Sequence, residues 1–121
     1  MAIPLLICDD SQMARKQVQR SLPENWNVSV TFAGGGREAL EAMRAGRGEI
    51  VFLDLTMPEF DGYQVLEQVK HESLKSIIIV ISGDIQPQAR ERVMALGALE
   101  FIRKPINREK LKDVLINYGL L

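Results

Sequence analysis

The sequence is short of almost every residue that marks a specialised chain. It has one cysteine, Cys8, so its 121 residues hold neither an internal disulfide nor a multi-cysteine zinc site. It has one histidine, His71, one tryptophan, Trp26, and only 6% aromatics. Neither sign of charge is in excess: 15 Lys+Arg stand against 16 Asp+Glu, a formal net charge of −1. That argues against a module that works on nucleic acid through bulk charge, and no direct nucleic-acid partner is expected. Long hydrophobic runs are missing too. Ile77 to Ile81 stops at five residues, where a membrane span needs about 18, so no membrane insertion is expected. The opening residues lack a basic segment and are interrupted by Pro4, which makes a poor signal peptide and points to a cytoplasmic location. No repeat, low-complexity stretch or linker divides the chain, and residues 1–121 read as one domain.

What is present is an alternation. Five short apolar runs, Ile3–Cys8, Val28–Ala33, Ile50–Leu53, Ile77–Ser82 and Leu99–Ile102, have strand lengths. The first, third and fourth are nearly continuous Ile, Val and Leu, as in a parallel sheet buried on both faces. Between them lie helix-type patterns. Ser11–Leu22 carries Met13, Val18 and Leu22 and is closed by Pro23; Arg37–Ala45 ends at Gly46; Gly62–His71 repeats Tyr63, Leu66 and Val69. Pro87–Leu96 starts with Pro at the first helical position and stops at Gly97, and Asn107–Tyr118 starts from a good cap residue. Strands alternating with helices imply right-handed crossovers and helices on both faces of the sheet. Five strands are too few for a closed barrel, so the expected fold is an open, doubly wound (βα)₅ α/β domain. A chain of this size should fold to a surface of about 6,600 Å², enough for one core without staples.

In such sheets ligands bind beyond the carboxyl ends of the strands. Those ends carry Asp9-Asp10 after the first run, Asp54 after the third, Ser82-Gly83 after the fourth and Lys104-Pro105 after the fifth. With strand order 2-1-3-4-5, three carboxylates converge on one place. Like charges that close ionise together only with a cation among them, and a few hard oxygen ligands suit Mg²⁺. Two aspartates after the first strand also repel the phosphate of a flavin, which needs amide donors there. Asp54 is the candidate nucleophile for a phosphoryl group. Lys104, Ser82 and the metal are positioned to neutralise the transferring oxygens, and no general base is required.

Asp9-Asp10, Asp54 with Met57-Pro58 and Gly62, Ser82-Gly83, and Lys104-Pro105 together resemble the receiver domain of two-component response regulators, CheY-like and flavodoxin-like in fold. The resemblance extends over essentially the whole chain. It implies phosphorylation of Asp54 by a histidine kinase or a phosphotransfer protein, with self-catalysed phosphorylation and dephosphorylation. It implies Mg²⁺ held by Asp10, Asp54 and the backbone carbonyl of Thr56, with Asp9 acting through water. Ser82 and Phe101 fall at the family's switch positions, and a cis Lys104–Pro105 bond is expected. A downstream effector protein or domain is expected at the Pro87–Ile116 face, and the family also admits homodimers on phosphorylation. Both a stand-alone, chemotaxis-type receiver and the N-terminal part of a larger regulator fit this length.

Duller roles and two competing functions stand beside these. Asp9 or Asp10 alone reads equally well as a helix cap, and weaker alternatives make Ser82 a turn residue and Phe101 plain core. Cys8 reads as a small buried hydrophobe, His71 as a solvated residue, and Trp26 as a cover for the core at the end opposite the aspartates. Thr56 and Asp84, two residues beyond Asp54 and Ser82, occupy positions that tune acyl-phosphate lifetime in the family. An enzyme alternative, a small Mg²⁺-dependent aspartyl-phosphate phosphohydrolase, usually has a second carboxylate where Thr56 stands. A phosphorylation-independent docking domain would have no use for the set Asp9, Asp10, Asp54, Ser82 and Lys104.

Overall fold

The computed structural model describes residues 1–83 and 86–121. Strands β1 (Ile3–Cys8), β2 (Val28–Ala33), β3 (Ile50–Leu53), β4 (Ile77–Ser82) and β5 (Glu100–Arg103) alternate with helices α1 (Gln12–Arg20), α2 (Gly36–Arg44), α3 (Gly62–Glu72), α4 (Ala89–Ala95) and α5 (Arg108–Asn117). All strand pairs are parallel, in the order β2-β1-β3-β4-β5. The chain exposes 6836 Å², close to the roughly 6,600 Å² that its mass demands of one compact core.

Period-two alternation divides that core into two layers. Leu6, Cys8, Val51, Leu53, Ile78 and Val80 face α2, α3 and α4. Their neighbours Leu5, Ile7, Ile50, Phe52, Ile79 and Ile81 face Val18 of α1 and Leu111 and Leu115 of α5. Each large side chain so buried is worth about 1.5–3 kcal/mol, which is why the central strands read as unbroken apolar runs. At the amino end of the sheet, Trp26 covers this second layer. Its indole lies 6.4 Å from the Phe52 ring, and its Nε1–H donates to the Leu120 carbonyl at 3.1 Å.

Helix starts follow their caps. Ser11 accepts from the Ala14 N–H, Asp61 and Gln64 form a reciprocal capping box, and Asn107 accepts from the Lys110 N–H. Gly46 and Gly97 take φ of +79° and +104° just past α2 and α4, a left-handed turn that costs a glycine little.

Three sequence expectations need correction. Met13 is exposed rather than packed beside Val18, because five residues along a helix are roughly 140° apart; Ala14 sits on the inward side instead. The fourth helix begins at Ala89, not Pro87. Gln88 is its N-cap, and the Ala89 N–H closes a turn on the Gln86 carbonyl before helical bonding starts. The last strand is shifted by one residue to Glu100–Arg103, although Leu99 already donates to the Ile78 carbonyl at 2.7 Å. No helix among the described residues is long and apolar enough to cross a membrane.

Candidate functional site

The parallel ladder runs one residue past three strands, and this delivers the site. The Asp9 N–H donates to the Ala33 carbonyl at 3.1 Å, the Asp54 N–H to the Cys8 carbonyl at 3.0 Å, and the Lys104 N–H to the Ser82 carbonyl at 2.9 Å. Backbone pairing therefore fixes where these three side chains leave the sheet. Helix α3 closes on the same place: a Cβ on Gly62 would lie 2.4 Å from the Asp54 carbonyl oxygen, so only glycine permits this approach.

Asp9, Asp10 and Asp54 each offer a carboxylate oxygen, and these atoms lie within 4.8 Å of one another. Asp9 and Asp54 are buried, whereas Asp10 is exposed. The Lys104 ammonium stands 2.9 Å from Asp9 Oδ2 and 3.6 Å from Asp54 Oδ1. Asp9 Oδ1 accepts the Ser11 N–H at 2.9 Å. Burial first, and then the Asp9 charge, push the Asp54 carboxyl up from 3.8 to about 6, against the pull of Lys104. Burial would lower the Lys104 ammonium, but its hydrogen bond to Asp9 and the Asp54 charge outweigh that and raise it. One ammonium thus pairs with two of the three carboxylates. The donor set is all hard oxygen, compact and short of positive charge, which fits a small divalent cation such as Mg²⁺.

The other expected residues fall around this rim. Ser82 is fully buried at the end of β4. Phe101 is half-buried on β5, against the layer facing α2–α4. Thr56 is exposed in the loop after β3, and the Lys104–Pro105 peptide bond is cis. Asp84 lies outside the described residues. Cys8 lies below the rim, with its thiol donating to Met57 Sδ at 3.5 Å. Burial, with Asp9 and Asp54 nearby, pushes that thiol up to about 12, so it stays neutral and packs as a hydrophobe. His71 is exposed on α3.

Two contributors escaped the sequence reading. Arg15, on the first turn of α1, donates from Nη1 to the Asp9 carbonyl at 2.7 Å. Gly36 opens α2 where a Cβ would lie 2.4 Å from the Phe60 carbonyl, which brings the loop after β3 against α2. A glycine triplet, Gly34 to Gly36, was the one available signal for the second; Arg15 gave none, as one basic residue in a polar helix.

A doubly wound parallel sheet with a three-carboxylate rim opposed by a lysine defines a class of phospho-accepting signalling switches. Residues 5–116 match the model of the response regulator receiver domain, and the chain belongs to that family. It is 30% identical to the chemotaxis protein CheY of Bacillus subtilis over 115 residues, covering 95% of this chain and 96% of CheY. It is 34% identical to the response regulator MprA of Mycolicibacterium vanbaalenii over 113 residues, covering 92% of this chain but 48% of MprA. Against a methylesterase/glutaminase of Oleidesulfovibrio alaskensis it covers 32% of the relative's length. The chain thus spans half or less of these two curated relatives. Among solved structures, CheY4 of Vibrio cholerae superposes with a TM-score of 0.84 at 26% identity, over 97% of this chain and 98% of that one.

Proposed function

We propose that Asp54 is the phosphoacceptor of this receiver. The observation that carries the reading is the Lys104 ammonium, 2.9 Å from Asp9 and 3.6 Å from Asp54. Acceptor lone pairs and a fixed positive charge share the place where the transferred phosphoryl oxygens arrive. An Asp54 oxygen bonds to phosphorus as the P–N bond of a donor phosphohistidine breaks, and that bond's electron pair leaves with the imidazole. Water attack on the acyl phosphate later returns the carboxylate and free phosphate. Asp10, Asp54 and the Thr56 carbonyl would hold Mg²⁺, with Asp9 acting through water. When bound, the metal neutralises charge on the phosphoryl oxygens and on the carboxylates.

Lys104 supplies a point charge to one phosphoryl oxygen and the Ser82 hydroxyl a hydrogen bond to another. The chemistry is positioning and electrostatics throughout. Phosphorylation adds charge beside β4 and β5 and shifts the balance between two arrangements of the Ser82 and Phe101 side chains. An effector protein or domain reads the shift at the Pro87–Ile116 face, a histidine kinase or phosphotransfer protein supplies the phosphoryl group, and the cycle runs in the cytoplasm.

The test is labelling by acetyl phosphate followed by intact-mass measurement. The parent gains one phosphoryl group only when Mg²⁺ is present, and Asp54→Asn gains none. Equal labelling of Asp54→Asn would overturn the assignment.

A further inference from the structure

The three carboxylates of the rim are not held alike. Asp9 is fixed at both oxygens, by the Ser11 N–H and by Lys104. Asp54 is held by Lys104. The exposed Asp10 makes no hydrogen bond or ion pair with any described residue, so among them only its backbone anchors the carboxylate. That backbone begins at the Asp9–Asp10 peptide, and the carbonyl of this peptide accepts the 2.7 Å bond from Arg15 Nη1.

The guanidinium is itself seated. It stands 6.0 Å over the Phe32 ring on β2, and a Cβ on Gly34 would lie 3.5 Å from Nη1. The carbonyl is therefore tied to the first turn of α1 and to the end of β2 at once. We infer that Arg15 is a positioning residue for the divalent cation: by fixing the Asp9–Asp10 peptide it preorganises Asp10, the one rim carboxylate with no partner among the described residues. The inference deepens the proposed function and rests on its metal-binding site.

The sign of the effect separates this role from simple charge. A guanidinium near the rim repels a cation, so if it acted only through its charge, removing it would tighten binding. A positioning role predicts the reverse. Outer partners of metal ligands typically contribute about 10–100-fold in affinity, and a bond to main chain rather than to the ligating atoms belongs at the lower end.

The experiment is calorimetric titration of the full chain with MgCl₂, without phosphodonor, on the parent, Arg15→Gln and Arg15→Lys. Circular dichroism melts accompany each titration. Binding should weaken about tenfold in Arg15→Gln and by less in Arg15→Lys, which keeps a donor but loses the fork. In acetyl phosphate labelling, the Mg²⁺ concentration for half-maximal rate should rise by the same factor, with the rate at saturating Mg²⁺ unchanged. Unchanged or tighter binding in Arg15→Gln overturns the inference and leaves the phosphoacceptor assignment standing. A parent that binds no Mg²⁺ overturns both. If Arg15→Gln does not fold, Arg15→Lys decides alone, and parental affinity there overturns the inference.

Discussion

Asp54, buried on the rim, and Glu100, half-buried on β5, are both carboxylates partly withdrawn from water, yet their surroundings oppose each other. Glu100 is paired with Arg90 of α4 and accepts from the Phe101 N–H at 2.9 Å and from the Tyr118 hydroxyl at 3.0 Å. Burial pushes its carboxyl up, but these bonds outweigh it and hold the group below the ordinary glutamate range. Asp54 shares one ammonium with Asp9, and its carboxyl rises to about 6. The Glu100 network is satisfied and ties α4, β5 and the end of α5 together, so it works as structure. The rim is left short of positive charge, which is what the proposed cation and phosphoryl site requires. An unbalanced charge marks the functional site here, and a balanced one marks the frame.

The comparison breaks most severely at Lys104. Lys104→Met leaves Asp9 and Asp54 facing each other without their shared cation and removes the donor proposed for the transferred oxygens. Acetyl phosphate labelling at saturating Mg²⁺ should slow by about 100-fold, the usual loss for one oxyanion donor. A rate within threefold of the parent would show that Lys104 is not needed electrostatically.

Asp54→Asn should instead stabilise the protein. A carboxyl raised in the folded state favours the protonated form, so its contribution to stability is lost as pH rises from about 4 to about 6 and stays lost above. Removing the charge should restore about 1–3 kcal/mol at pH 7, seen as a higher Tm in melts without Mg²⁺. Near pH 4 the variant and the parent should converge. Mg²⁺ should raise the Tm of the parent more than that of the variant.

The smallest effect belongs to the balanced carboxylate, and its pH slope has the other sign. A lowered carboxyl stabilises the fold above its ordinary range and loses that contribution as pH falls through its folded value. Glu100→Gln should cost about 1 kcal/mol at pH 7 and less under acid, in urea melts across the pH range. A cost that grew as pH fell would contradict the network.

Much of this was legible in the chain. The apolar runs predicted four of the five strands with their observed bounds. The central β1, β3 and β4 are buried on both faces and leave few polar positions to blur them, whereas the edge strand β2 was legible from its alternation of Val28, Val30 and Phe32 with Ser29 and Thr31. Asp9, Asp10, Asp54 and Lys104 stood out because each follows a run. The misses have a common cause. Met13 and the start of α4 depend on how a helix is rotated and where its first bond closes, which tertiary contacts decide. Arg15 was invisible because the atom it grips is a main-chain carbonyl, and every residue has one.

The sequence by itself determined a disulfide-free, charge-balanced α/β chain with acidic residues at the strand ends, since periodicity and composition act locally. Only the tertiary structure decided what those residues became. The order β2-β1-β3-β4-β5 puts the ends of β1 and β3 side by side, and so brings Asp9 and Asp10 to Asp54 across more than 40 positions of chain. It also carries Lys104 to within 2.9 Å of Asp9. Coulomb energy depends on separation in space and on burial, so neither the raised Asp54 carboxyl nor the unequal support of the three aspartates exists until the sheet is assembled.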